Sequence, residues 1–202
     1  MKSEIPEQQT GGEIDTVKKV EFNSADEAKD FYQIAKERLL NVSHWAEICK
    51  VPISTFTLTD QHGNTITRNA AEGDYIKIDI PGPGTHHGDG FDWVRIEKIT
   101  EEEESGMQQV SLQARPSPNP SSQDPDVAHF YTDQATSTFQ VKRIGFIVTA
   151  EEHGRNEVPN TDTSFLADNI RNTLVGWSAK IGFAYPQWKS LVKGIIAVKP
   201  NN

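Results

Sequence analysis

The sequence predicts an α+β protein, an antiparallel sheet with a C-terminal helical segment laid on it, and three observations carry that expectation. From about Thr55 to Ala150 apolar and polar residues alternate, the period of strands with one wet face. Ahead of that run a first strand leads into a capped amphipathic helix. Behind it Leu166, Ile170, Leu174, Trp177 and Ile181 recur at steps of three and four, a single apolar stripe that needs an apolar surface to lie on.

Taken in order, Asp15 to Phe22 reads as a strand with Val20 and Phe22 on one face and Val17 on the other. Ser24-Ala25-Asp26-Glu27 is a capping box: the serine hydroxyl accepts from the amide three residues on, and Glu27 reaches back to the serine amide. Ala28, Phe31, Tyr32, Ala35 and Leu39 form the buried stripe of this helix. The pattern runs on through Val42, Trp45 and Ile48, bending near Asn41 and Ser43, until Pro52 ends it, so a helical pair follows the first strand.

Phe56 and Leu58 then share a face, and Asp60-Gln61-His62-Gly63-Asn64 turns the chain into Ile66 as a hairpin. Asp74 to Ile80 alternates Ile76, Ile78 and Ile80 with Tyr75, Lys77 and Asp79. Phe91 to Ile99 sets Val94 and Ile96 against Trp93, Arg95 and Glu97, and Met107 to Arg115 turns Val110, Leu112 and Ala114 inward. Pro116 to Asp126 has the composition of a long, mobile loop, and the acidic run Glu101 to Glu104 that of a solvated turn or strand end. Thr136 to Ala150 is the longest strand-like run, and its apolar parity slips between Val141 and Ile144, which a bulge near Arg143 would reconcile. Glu151 to Asp162 reads as a polar connection, with Asp162 or Thr163 capping the C-terminal helix. Past Gly182 the helical pattern pauses, then resumes after Pro186 with Trp188, Leu191, Val192, Ile195 and Ile196, which predicts a break between two helical pieces.

At 202 residues the chain supports one core, and the expectation is a single domain over 14–198 with tails at 1–13 and 199–202. A net charge of −9 and a pI near 5.1 argue against wrapping nucleic acid or resting on an anionic membrane. No apolar run of about eighteen residues occurs, so no span through a bilayer is expected. The polar start Met1 to Glu13 lacks the apolar core of a secretory signal, and the expectation is a soluble, cytoplasmic protein. Cys49 is the single cysteine, so no disulfide forms within the chain, and its apolar neighbours mark a small buried thiol.

The order of strand, helical pair, antiparallel strands and C-terminal helix, from Asp15 to Val198, resembles the helix-grip fold of the START and polyketide-cyclase-like superfamily. The pieces that carry the resemblance are Glu21-Phe22-Asn23-Ser24-Ala25-Asp26-Glu27-Ala28, a first strand entering its capped helix, and Trp177 followed by Trp188-Lys189-Ser190-Leu191 in the final helix. The interrupted final helix and the 116–126 loop depart from the family pattern. The resemblance implies a curved sheet gripping the last helix around an apolar cavity, with small hydrophobic molecules or lipids as guests.

The wall of such a cavity falls to inward strand residues and the helix stripe: Phe56, Ile78, Val94, Leu112, Phe139, Trp177 and Ile181. The same residues can also fill the core completely. The leading expectation is a protein that binds a small hydrophobic or amphipathic molecule, with no cofactor. The second is an enzyme acting in that cavity, with His129 or His153 as general base tuned by a carboxylate such as Glu152. Its metal version places a divalent ion on His86, His87, Asp89 and Asp92, in the Gly/Pro-rich connection from Pro81 to Asp92. That connection has no HExxH spacing and no GxGxxG ahead of a helix, and no Gly-x-Ser-x-Gly elbow occurs in the chain. The third is a pocketless interaction protein that self-associates through an exposed aromatic such as Trp93.

Overall fold

Strand alternation closes into one curved sheet. The computed structural model describes residues 4–49, 54–80, 85–160, 182 and 186–198. Its strands are β1 (Gly12–Glu21), β2 (Thr55–Thr59), β3 (Tyr75–Asp79), β4 (Asp92–Glu104), β5 (Met107–Pro116), β6 (Thr136–Ile144) and β7 (Ile147–Glu157). They pair antiparallel throughout, in the order β1-β7-β6-β5-β4-β3-β2, so β1 closes onto the last strand and β2 forms the other edge. Helices α1 (Ala25–Leu40) and α2 (Trp45–Ile48) follow β1, joined by a 3-10 turn at Val42–His44, and a third helix, α3, covers residues 186–195. This is the α+β arrangement expected, with the helical pair where the stripe placed it.

The cap of α1 differs from the expected box in one bond. Ser24 Oγ accepts from the Glu27 amide at 3.2 Å, but the Glu27 carboxylate accepts from the amide of Asn23, one residue earlier than the serine. The helix buries Ala28, Phe31, Tyr32, Ala35 and Leu39 against β5, β6 and β7. Helix α3 lies directly on the end of α2, because a Cβ on Gly194 would stand 2.2 Å from the carbonyl oxygen of Ile48. Arg38 of α1 donates to the carbonyls of Ile195 and Ala197 at 2.8 Å each, a cation on the orphan acceptors of a helix C-terminus. At the other end of α3, Gln187 accepts from the Ser54 amide and donates to Cys49 Sγ.

The run from Thr136 to Ala150 is two strands rather than one bulged strand. Ile144 pairs with Ile147 across a two-residue turn of Gly145 and Phe146, and Gly145 takes φ 59°, which a β-hairpin turn with glycine in first position requires. The slip in apolar parity is the hairpin tip itself, where Ile144 and Phe146 are exposed. The polar run after Ala150 continues as β7 to Glu157, because strands stand on both sides of it and satisfy its backbone. The Glu101–Glu104 run likewise belongs to β4 and pairs with β5 as far as Met107.

The Pro/Ser-rich loop is laid along β4. Ser117 N donates to Trp93 O, Trp93 N donates to Ala128 O, and Asn119 is buried, donating to Asp89. Trp93 is thereby 3% exposed, with its indole N–H on Gly88 O at 3.3 Å, so it presents no surface for self-association. Ahead of β1, Glu4 pairs with Lys98 at 2.6 Å, while Asn156 Oδ1 accepts from the amides of Gln9 and Thr10. The helical stripe from Thr163 to Ile181, with Trp177, lies outside the described residues, as does the break at 183–185. Among the described residues no helix is long and apolar enough to cross a membrane.

Candidate functional site

A cavity of about 50 Å³ lies between the inner face of the sheet and the helices α2 and α3. Its side walls follow from strand alternation. Phe56 opposite Ile78, Ile76 opposite Val94, and Phe139 at the middle of β6 all turn inward, because partners directly across an antiparallel ladder share a face.

The cavity has two chemically distinct ends. One is aromatic. Trp45 from α2, Phe56 from β2, Phe139 from β6 and Trp188 from α3 meet ring to ring, with centroids 5.0 Å apart for Trp45 and Phe139 and 6.0 Å for Phe56 and Trp188. The indole N–H of Trp45 donates to Leu39 O at 3.0 Å, so this residue turns a satisfied, apolar ring toward the space.

The other end is polar and is built by an irregularity in β7. The register against β1 shifts between the pairs Gly12/Glu157 and Ile14/Gly154, and Asn156 takes φ 55°, a left-handed conformation that asparagine tolerates. The extra residue brings Glu157 to the inner face, where Tyr131 Oη donates to its Oε2 at 3.1 Å. The Glu157 carboxyl lies over Gly154: a Cβ there would stand 2.5 Å from Glu157 Oε1 and 3.6 Å from Glu152 Oε1. Glu152 lies on the same inner face, directly across from Phe139, and is 0% exposed. Neither of its carboxyl oxygens has a hydrogen-bond partner.

The electrostatics follow from that burial. Glu152 is pushed well above the usual carboxylate range by desolvation, with the neighbouring charges of Glu157 and Asp15 adding to it and Arg155 opposing. Burial also raises Glu157, against the Tyr131 hydrogen bond and the Arg155 charge. Burial and the Glu157 charge push the Tyr131 phenol up, so it stays a donor. His129 completes this end. It is buried, its ring stacks on Phe130 at 4.3 Å, and its Nδ1 accepts from the Tyr131 amide at 3.0 Å, which leaves Nε2 to carry the proton of the neutral ring.

Of the seven residues expected in the wall, Phe56, Ile78, Val94 and Phe139 line the cavity. Leu112 is fully buried in the packed core beside it, and Trp177 and Ile181 lie outside the described residues. His129 lines the cavity, whereas His153 does not. One residue on from Glu152, His153 points to the outer face, with Nδ1 on Asp15 at 2.5 Å and Nε2 on Glu151 at 3.0 Å. The residues expected around a metal do not converge. His87 turns to Asp124 of the neighbouring loop at 2.7 Å, Asp89 accepts from Asn119, and Asp92 is buried at the start of β4 opposite Ile78. His86 contributes backbone to the short 3-10 turn His86–Gly88. The only ligand-type set of three among the described residues joins His87 to Asp124 and Asp126, with atoms within 4.8 Å of one another. Its close His87–Asp124 pair is accounted for as a hydrogen bond.

Glu157 has no role in the sequence reading, because Glu151 to Asp162 reads there as a polar connection. Had the turn at Gly145 been recognised, the parity of Val148, Ala150, Glu152 and Gly154 would have placed a carboxylate on the inner face.

No protein-family model matches the chain, and no curated protein matches it. Among solved structures, a hypothetical protein of Helicobacter pylori is 12% identical, with 91% of this chain and 87% of that one covered, at a TM-score of 0.45. Truncated norcoclaurine synthase from Thalictrum flavum is 9% identical over 96% of this chain and all 100% of its own, at 0.36. A protein from Arthrobacter aurescens is 11% identical over 93% and 88%, at 0.40.

Proposed function

We propose that the protein binds a small amphipathic molecule in this cavity, its apolar body against the rings of Trp45, Phe56, Phe139 and Trp188 and its polar group toward His129, Tyr131 and Glu157. The observation that carries this reading is a lining that combines four meeting rings with the hydrogen-bonding groups of His129, Tyr131 and Glu157, a combination that orients a guest. At about 50 Å³ the space holds a few waters and is smaller than an aromatic ring requires. A guest therefore enters by moving a wall. Trp188 is the ring of the four that is only half-buried, and it is the wall residue positioned to swing.

The test is heteronuclear NMR of the full chain titrated with toluene and with indole. Saturable shifts at Phe56, Ile78, Phe139 and Trp188 are expected, and Ala135→Leu, which fills the space from its lining, abolishes them. Shifts that never saturate, or that survive Ala135→Leu, would sink the reading.

A further inference from the structure

We propose that the polar end of the cavity is a site for an organic cation: the guest carries a protonated amine, held by the Glu157 carboxyl of the lining with the buried Glu152 carboxyl behind it, and its apolar body lies on the aromatic wall. This deepens the ligand-binding reading and rests on it.

The first observation is Glu152. Its side chain has no exposure, and neither oxygen has a hydrogen-bond partner, although buried polar groups are almost always bonded. It packs on the inner face beside Phe139, at a position where the strand around it carries Val148 and Ala150. An aliphatic side chain there would bury more apolar surface and avoid a desolvated carboxyl, so the fold by itself has no use for an acid at this point. The second observation is that Glu152 does not stand alone. Glu157 reaches the same place through the β7 bulge, and one oxygen of each carboxyl lies within 3.6 Å of the point where Gly154 lacks a Cβ. Among the described residues the donor to these carboxyls is the Tyr131 hydroxyl, on Glu157 Oε2.

The shortage is therefore one of donors and of positive charge. Arg155, whose charge acts on both carboxyls, spends its donors on Ile14 O, Gly154 O and the Asp15 carboxylate. An ammonium supplies both missing quantities, with three donors and a unit charge on a compact head. A hard metal ion is a poorer fit, because two carboxyls and a phenol fall short of the six or more oxygens such ions gather. An anionic guest would bring negative charge to a place that already disfavours the ionised form of both carboxyls.

The experiment compares 2-phenylethylamine with ethylbenzene, which share a body and differ in the amine, by NMR titration of the full chain. The amine is expected to bind roughly tenfold more tightly or better, as a charge-assisted hydrogen bond in a buried site provides. In Glu152→Gln and Glu157→Gln that preference should fall below about threefold. Equal binding of the two compounds to the wild-type protein overturns the cation site and leaves the cavity reading standing, whereas binding of neither overturns both. Glu152→Met separates a ligand role from a structural one. It is expected to melt at or above the wild-type temperature and to lose the preference for the amine, and a lower melting temperature would show that the carboxyl serves the fold and overturn the proposal.

Discussion

Glu151 and Glu152 are the same residue type one peptide bond apart, and the pleat of β7 gives them opposite fates. On the outer face the Glu151 carboxylate accepts from Lys142 at 2.8 Å, His153 at 3.0 Å and Thr149 at 3.0 Å. Burial alone would raise it, yet the His153 and Lys142 hydrogen bonds hold it at about 2. His153 in turn bridges to Asp15 of β1, which Arg155 also holds, so the outer network ties β1, β7 and β6 together. On the inner face Glu152 has none of these partners and is driven the other way. The outer face of β7 uses charge to hold three strands in register. The inner face leaves its carboxyl without a bonded partner in the fold, and the proposed cation site draws on that carboxyl.

The largest effect that would break this contrast is His153→Ala. The imidazole links two carboxylates and is nearly buried, so its loss leaves Glu151 and Asp15 short of donors and should destabilise the protein by about 2–4 kcal/mol, read from urea unfolding at pH 7. A change under about 0.5 kcal/mol would show that the network is decorative. Next in size, and opposite in sign, is Glu152→Gln. Removing the buried acid should stabilise the folded protein by about 1–2 kcal/mol at pH 8 by the same assay, because the unfolded wild-type chain gains an ionisation that burial withholds from Glu152, and the glutamine gains none. A net loss would mean that an ionised Glu152 is compensated after all.

Much of the fold was legible in the sequence because two periods and one cap do most of the work. The Phe56, Ile78 and Phe139 wall follows from alternation alone, and α1 from its stripe and Ser24. What failed was local: a Gly-Phe turn inside a strand-like run reads as continuous strand when the residues on both sides favour strands, and Ile144 and Phe146 at its tip look like core. The site was less legible for a physical reason. Glu152 and Glu157 are acids on an inward face, which hydropathy assigns to loops, and the turn that sets their parity and the bulge that redirects Glu157 are backbone events at Gly145 and Asn156. His129 and His153 are the same kind of residue in sequence, and only the direction of a strand separates the one in the cavity from the one in the outer network.

The smallest effect is the most discriminating, because it sets the two faces on a single pH axis. Glu151→Gln removes a carboxylate whose folded pKa is depressed to about 2, so the stability it contributes is present above its unfolded value near 4.5 and is lost as pH falls toward 2. The variant should be about 1 kcal/mol less stable than wild type at pH 6 and equal to it near pH 2. Glu152 behaves in reverse. Its folded pKa is raised, so above about 4.5 the unfolded chain ionises while the folded chain keeps its proton, and the wild-type protein loses stability as pH rises. The advantage of Glu152→Gln should therefore be smallest below pH 4.5 and grow above it. Urea titrations of both variants from pH 2 to pH 8 should give two difference curves that approach their minima in acid and part with opposite signs toward neutrality. Curves of the same sign would mean that Glu151 and Glu152 share one environment, and the separation of the strand into a structural face and a binding face would fail.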